Sequence, residues 1–219
     1  MLRCDQRRDP AGGNGVHRTT VTRWVREVVG LLAARAPRLD RAVKKIARKG
    51  GGVVLLDGSL IPTRRRTGAE NRKNYSGKHP CHGLLVIALT DDRGRLIWVS
   101  AVRPGRTSEI TACRHDKLTA KLRAAGLSAI ADLGFVGLDD SGPDADPAVI
   151  TGYEAARNRP LTAGQKQAKR ALAAVRAPVE HGFAHLKNWR VLGKVGTDPK
   201  WAAALVRALL VLTNREVAR

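Results

Sequence analysis

The spacing of hydrophobic positions along this chain changes character twice. Between His17 and Ala36 the apolar residues Val21, Trp24, Val25, Val28, Val29, Leu31 and Leu32 recur at helical intervals, with Arg18, Arg23 and Arg26 beside them. Thr19 or Thr20 is the expected N-cap, and Pro37 is expected to stop the helix. "RLDRAVKKIARKG" reads as a second, more basic helix, and Gly50 to Gly52 form a break. The pattern then turns to short apolar runs. "VVLLDGSLIPT" reads as a buried strand that ends at Asp57. "RRRTGAENRKNYSGKH" is a basic loop, and "GLLVIALTDDRGRLIWVSAV" is two strands about a "DDRG" turn. "TSEITACRHDKLTAKLRAAG" predicts one helix closed by Gly126, and "LSAIADLGFVG" a strand that ends at Asp132. After the loop "LDDSGPDADP" and a short strand "AVITGY", helical spacing returns for good. It predicts a long helix interrupted near Pro178 and a last helix over about residues 199 to 215.

Strands and helices alternate after the hairpin, so the expected fold is α/β, a mixed sheet with helices on its faces. Three parts follow: a disordered lead-in over 1–15, a helical segment over 16–50, and a larger unit over 53–215.

Charge narrows the function. The chain has 219 residues, with 40 Lys plus Arg against 19 Asp plus Glu, a net charge of +21. Such an excess opposes compaction through like-charge repulsion and suits a polyanionic partner, nucleic acid first. A membrane is not expected, because the longest apolar run, "WAAALVRALLVL", is broken by Arg207 and too short to span. Cys4, Cys81 and Cys113 form no CxxC pair, which argues against structural zinc and, with no signal peptide, suits a reducing cytoplasm. Aromatic content of 4% argues against base stacking as the main binding mode.

Against this basic background three carboxylates stand out. Asp57 and Asp132 each end an apolar strand, and strand ends of open α/β sheets line ligand crevices. Facing each other they would repel unless a cation lay between them, and hard oxygen ligands suit Mg²⁺ or Mn²⁺. Glu180, the single acid in the basic helical stretch "RAPVEHGFAHLKNWR", is the candidate third ligand. The plainer alternatives are a "DG" turn for Asp57 and, for Glu180, a solvated pair with Arg176 or His185.

The blocks "VVLLDGSLIPT", "NYSGKHPCHGLLVIALTDDRGRLIWVSAVRPGRTSEITA", "AIADLGFVG" and "LTAGQKQAKRALAAVRAPVEHGFAHLKNWRVL", in that order, resemble the transposases of IS5-type insertion sequences, which carry a DDE catalytic domain. The resemblance covers about residues 53 to 215. It implies a ribonuclease H-like fold with Asp57, Asp132 and Glu180 as the catalytic, metal-binding triad. It also implies two Mg²⁺ (or Mn²⁺) ions per site and phosphoryl transfer on double-stranded DNA, at transposon ends and target, in the bacterial cytoplasm at the nucleoid. Synapsis of two ends would favour a homodimer.

Candidate DNA contacts are Arg64, Arg65, Arg66, Lys73 and Lys78 in the loop after the first strand, Lys187 and Arg190 after Glu180, and Arg18 and Arg23 on the first helix. That helix resembles the last helix of a helix-turn-helix unit whose earlier helices are missing or replaced, so the segment 16–50 is a partial unit of this type. Leu133 stands where many relatives carry a basic residue after the Asp. The competing expectation is a truncated, catalytically idle DNA-binding remnant, or an inhibitor of the full-length enzyme.

Overall fold

The fold is known from a computed structural model that describes residues 15–63, 69–139, 146–155, 160–196 and 198–217. The side chains of residues 69, 70, 178–181, 194 and 217 lie outside the description. Residues 1–14, expected to form most of the lead-in, and Arg64, Arg65 and Arg66 are outside it altogether.

Helices α1 (Arg18–Ala34) and α2 (Leu39–Arg48) precede seven strands: β1 (Val53–Pro62), β2 (Tyr75–Ser76), β3 (Cys81–Thr90), β4 (Leu96–Val99), β5 (Arg103–Pro104), β6 (Ser128–Ile130) and β7 (Val149–Ile150). Helices α3 (Glu109–His115) and α4 (Leu118–Ala124) lie between β5 and β6, and α5 (Ala163–Lys187) and α6 (Pro199–Val217) follow β7. The sheet runs β2-β3-β1-β6-β7, with β4 and β5 also on β3. β1 is antiparallel to β3 and parallel to β6, so the sheet is mixed. This is the helix-flanked mixed sheet of a ribonuclease H-like domain.

Strand alternation sorts the core into two layers. Val54 and Leu56 of β1 and Leu85, Ile87 and Leu89 of β3 pack with α2, α3 and α4. Leu55 and Ile61 of β1 and Leu84, Val86 and Ala88 of β3 face α5 and α6, through Phe183, Leu186, Leu205, Val206, Leu209 and Leu210. Both faces are buried, which explains why β1 and β3 read as continuous apolar runs. Asp57 has the parity of Leu55, so it points to the α5 layer.

Four expectations need correction. β1 does not end at Asp57. It continues to Pro62, and Asp57 lies mid-strand opposite Ala88, because β3 pairs with β1 from Leu55 to Pro62. The helix expected from Ser108 to Gly126 is two helices. Lys117 takes a left-handed conformation (φ 53°) and turns the chain between α3 and α4, so that Cys113, Leu118 and Leu122 all reach the same core layer. α5 is not interrupted at Pro178. Proline removes one ladder hydrogen bond, but the helix runs unbroken through it over all 25 residues from Ala163 to Lys187. A reciprocal cap holds its start, with Thr162 Oγ1 accepting the Gln165 N–H and Gln165 Oε1 the Thr162 N–H. Phe183 and Leu186 hold its end in the core. Finally, His17 caps α1 in place of either threonine, its Nδ1 accepting the Thr19 N–H at 3.3 Å.

α1 packs against α6, yet it contributes no buried residue. Trp24, Val25, Val28 and Leu31 of its predicted stripe are exposed. Trp98 is buried in the core, and Trp189 is half-buried with its Nε1–H donated to Thr213 Oγ1 at 3.0 Å. Among the described residues no helix is long and apolar enough to cross a membrane.

Leu186 is 2% exposed and ties α5 to the sheet. Leu186→Ala is expected to lower unfolding free energy by roughly 2–5 kcal/mol, read from a urea denaturation curve.

Candidate active site

The site grows out of one register. β1 and β6 are parallel, with Val53 level with Ser128, Val54 with Ala129 and Leu55 with Ile130. β6 then stops, while β1 runs on. Asp57 and Asp132 each lie two residues beyond the last pair, where β6 no longer covers β1, and the Asp132 charge is felt at Asp57. Asp132 turns the backbone there. Its Oδ1 accepts the Gly134 N–H at 2.9 Å and caps the short 3-10 helix Leu133–Phe135. Asp57 Oδ1 accepts the Gly58 N–H at 2.9 Å.

Burial pushes the Asp57 carboxyl up to about 6, and the neighbouring negative charges of Asp132 and Glu109 push the same way. The Gly58 hydrogen bond and the Arg176 guanidinium oppose the rise without cancelling it. Arg176 comes from α5, its Nη2 3.7 Å from Asp57 Oδ1, and its buried Nε has no hydrogen-bond partner. Among the described residues, the salt-bridge partner of Arg176 is Asp57. Glu180 follows one turn later on α5, on the helix that covers Asp57's face of the sheet. Its side chain lies outside the described residues, so its convergence with the aspartates stays an expectation.

The opposite layer supplies a carboxylate that sequence reading passed over. Glu109 opens α3 behind its N-cap, Ser108. Its carboxylate lies in a slot that needs two glycines: a Cβ on Gly58 would stand 2.7 Å from Glu109 Oε1, and one on Gly134 would meet Oε2. Both glycines closely follow the predicted catalytic aspartates. An acid in the first turn of a helix is ordinarily read as a dipole-compensating residue, so nothing local marked Glu109. The "DG" and "DLG" glycines were the available signal.

Lys78 is the predicted DNA contact that the structure brings to the carboxylates. Its Nζ donates to both Glu109 oxygens at 3.0 Å. Partial burial lowers its pKa, but the Glu109 hydrogen bond and the charges of Glu109, Asp132 and Asp57 raise it by more. Lys73 is exposed on the 3-10 helix Ala69–Asn74. Lys187 is exposed at the end of α5, its Nζ 5.8 Å from the centre of the Phe183 ring, and Arg190 is exposed at the start of the next 3-10 helix. Arg18 and Arg23 are exposed on α1.

Two neighbouring aspartates, one on a strand and one just past the end of the next, with the cations Arg176 and Lys78 beside them, are the kind of site that works on a phosphodiester. The chain belongs to the DDE superfamily endonucleases, which it matches over residues 56–214. It is similar to the "Putative transposase for insertion sequence element IS112" of Streptomyces albus G, at 29% identity over 178 residues. That match covers 81% of this chain and 61% of the relative, so the chain spans less than two thirds of the relative's length. No solved structure matches the chain.

Proposed function

We propose that this chain carries the catalytic domain of an IS5-type transposase, an enzyme that cleaves and transfers strands of double-stranded DNA with Asp57, Asp132 and Glu180 as its triad. The observation that supports it most is that the β1–β6 register brings Asp57 and Asp132 to the uncovered end of β6, where the charge of one acts on the other. The domain would span 53–215, with 16–50 as an accessory DNA-binding segment. Synapsis of two transposon ends would bring two copies together, at the bacterial nucleoid.

The chemistry calls for divalent metal, two Mg²⁺ or Mn²⁺ ions in the full reading. Among the described residues, no group of three or more His, Cys, Asp and Glu side chains is placed to hold one. In donor chemistry the site fits. Asp57 and Asp132 are hard oxygen ligands, and burial, with the charges of Asp132 and Glu109 beside it, disfavours an uncompensated charge on Asp57. Glu180 would complete the set. A divalent ion bound there supplies a Lewis acid for the phosphoryl oxygen and favours the deprotonated nucleophile.

The chain's own residues do the rest. Asp57 and Asp132, each held by a backbone N–H, keep fixed carboxylate directions. Lys78 presents an ammonium to an incoming phosphate. Arg176, 3.7 Å from Asp57 Oδ1, offsets part of the Asp57 charge. In the reaction a water or DNA 3′-hydroxyl oxygen bonds to phosphorus while the bond to the leaving 3′-oxygen breaks. No protein nucleophile is needed.

The test is nicking of a labelled duplex that carries the element's ends, with Mg²⁺, Mn²⁺, Ca²⁺ or EDTA. Scission in Mg²⁺ or Mn²⁺ and none in EDTA supports the proposal. DNA binding with no scission in any ion would leave the idle-remnant reading in its place.

A further inference from the structure

Lys78 and Glu109 are 31 residues apart in sequence, and the fold joins them through both carboxylate oxygens at 3.0 Å. The two ends of the pair differ in setting. The Glu109 side chain is 11% exposed and the Lys78 side chain 55%. The carboxylate is thus the anchored end and the ammonium the presented end. Glu109 is anchored by the same backbone that carries the aspartates, since Gly58 and Gly134 leave the space it fills. An ammonium has three N–H donors. Two are directed at Glu109, which leaves one for a further acceptor.

A role in stability alone explains this poorly. A half-exposed ion pair contributes about 0.2–1 kcal/mol. Against that, Glu109 adds a negative charge that Asp57 already feels as unfavourable. An acid placed there for stability would be better placed elsewhere.

We propose that Glu109 is a positioning residue: it clamps Lys78 at the edge of the Asp57–Asp132 pair, so that the ammonium is held where the scissile phosphate arrives. The inference rests on the phosphodiester-cleaving reading of the aspartates. An unclamped lysine would have to order a flexible four-carbon stem in each turnover, at a cost of about 2 kcal/mol in rotamer entropy. Both oxygens of Glu109 are engaged by Lys78, so it acts through that residue.

The experiment compares the full chain with Glu109→Gln, Lys78→Gln and the double variant. Two quantities are read: duplex affinity in EDTA across a salt series, and single-turnover cleavage at saturating DNA. Lys78→Gln is expected to flatten the slope of log affinity against log salt by about one. Glu109→Gln is expected to leave that slope unchanged and to bind DNA as tightly or a few-fold more tightly, having lost a negative charge. Yet its cleavage should fall about 10-fold or more, the loss of rate that follows from about 1.4 kcal/mol of lost transition-state stabilisation. The double variant should cleave no more slowly than Lys78→Gln alone.

Multiplied losses in the double variant would overturn the proposal, because Glu109 would then act independently of Lys78. So would a Glu109→Gln protein whose DNA affinity and melting temperature fall together with its rate. If Glu109→Gln does not fold, Glu109→Asp against Lys78→Arg decides: cleavage at the full wild-type rate by both would overturn the clamp. Failure of the underlying reading has its own signature, wild-type cleavage by Asp57→Asn, whatever Glu109 does.

Discussion

Asp57→Asn is expected to cut strand cleavage by at least ~10³-fold, about 4 kcal/mol of barrier, while affinity for uncut duplex stays within a few-fold. Asparagine keeps the shape of aspartate, and its Oδ1 can still accept the Gly58 N–H that Asp57 accepts at 2.9 Å. The strand pairing around it is backbone hydrogen bonding, which the change does not touch. What disappears is the charge, and with it the ability to hold a divalent ion beside Asp132. Asp132→Asn and Glu180→Gln are expected to behave alike. Single-turnover cleavage with matched binding curves decides. Wild-type cleavage by Glu180→Gln would remove the third member from the proposed triad. DNA affinity that collapsed with any of the three would mean that the carboxylate shapes the binding surface instead of the chemistry.

The second large effect is on stability, and it depends on pH. The Asp57 carboxyl sits at about 6 in the folded protein against an ordinary 3.8. Between those values the folded state keeps a proton that the unfolded state has released. The stability this gives at low pH is therefore lost as pH rises through about 6. Across that window Asp57→Asn, which cannot ionise, should gain on the wild type. The two should be equal near pH 4, and above pH 7 the variant should be more stable by up to about 3 kcal/mol. Loss of the Arg176 partner reduces that gain, because the buried Nε of Arg176 is already unpaired. Urea denaturation of both proteins at pH 4, 5.5 and 7.5 measures the difference. At pH 7.5 Mn²⁺ should raise the melting temperature of the wild type and not of Asp57→Asn. A stability difference that stays flat from pH 4 to 7.5 would show that Asp57 titrates normally and that its burial carries no cost.

Much of this protein could be read from its residues in order. The runs at Val53–Leu56 and Leu84–Leu89 are apolar at every position because both faces of the sheet are covered, and that alone identified buried strands. The excess of Lys and Arg pointed to a phosphate-bearing partner, and the family membership found over residues 56–214 agrees with the motif blocks that resemble transposases. Asp57 and Asp132 were visible as charged residues at the ends of apolar runs. Glu180 was visible as the one acid in a basic helix.

The errors share a cause. Local pattern put the end of β1 at Asp57, but hydrogen bonds from β3, a partner some thirty residues later, keep the strand going. Proline at 178 predicted a break, but a capped start and a buried end hold α5 through it. Helical spacing on α1 was read correctly, but it did not tell which side is covered: α6 packs against the helix, and Trp24 and Leu31 stay exposed.

The sequence by itself determined the alternation of helices and strands and the sign of the charge, and it marked Asp57 and Asp132 as candidates, because periodicity, charge and residue type are properties of neighbours along the chain. Only the tertiary structure decided that Asp57 and Asp132 feel each other's charge, that Arg176 meets Asp57, and that Glu109 holds Lys78. Each of those depends on strand register or on a helix docking across the sheet. Register and docking are set by backbone pairing and core packing between segments far apart in sequence, which no local pattern records.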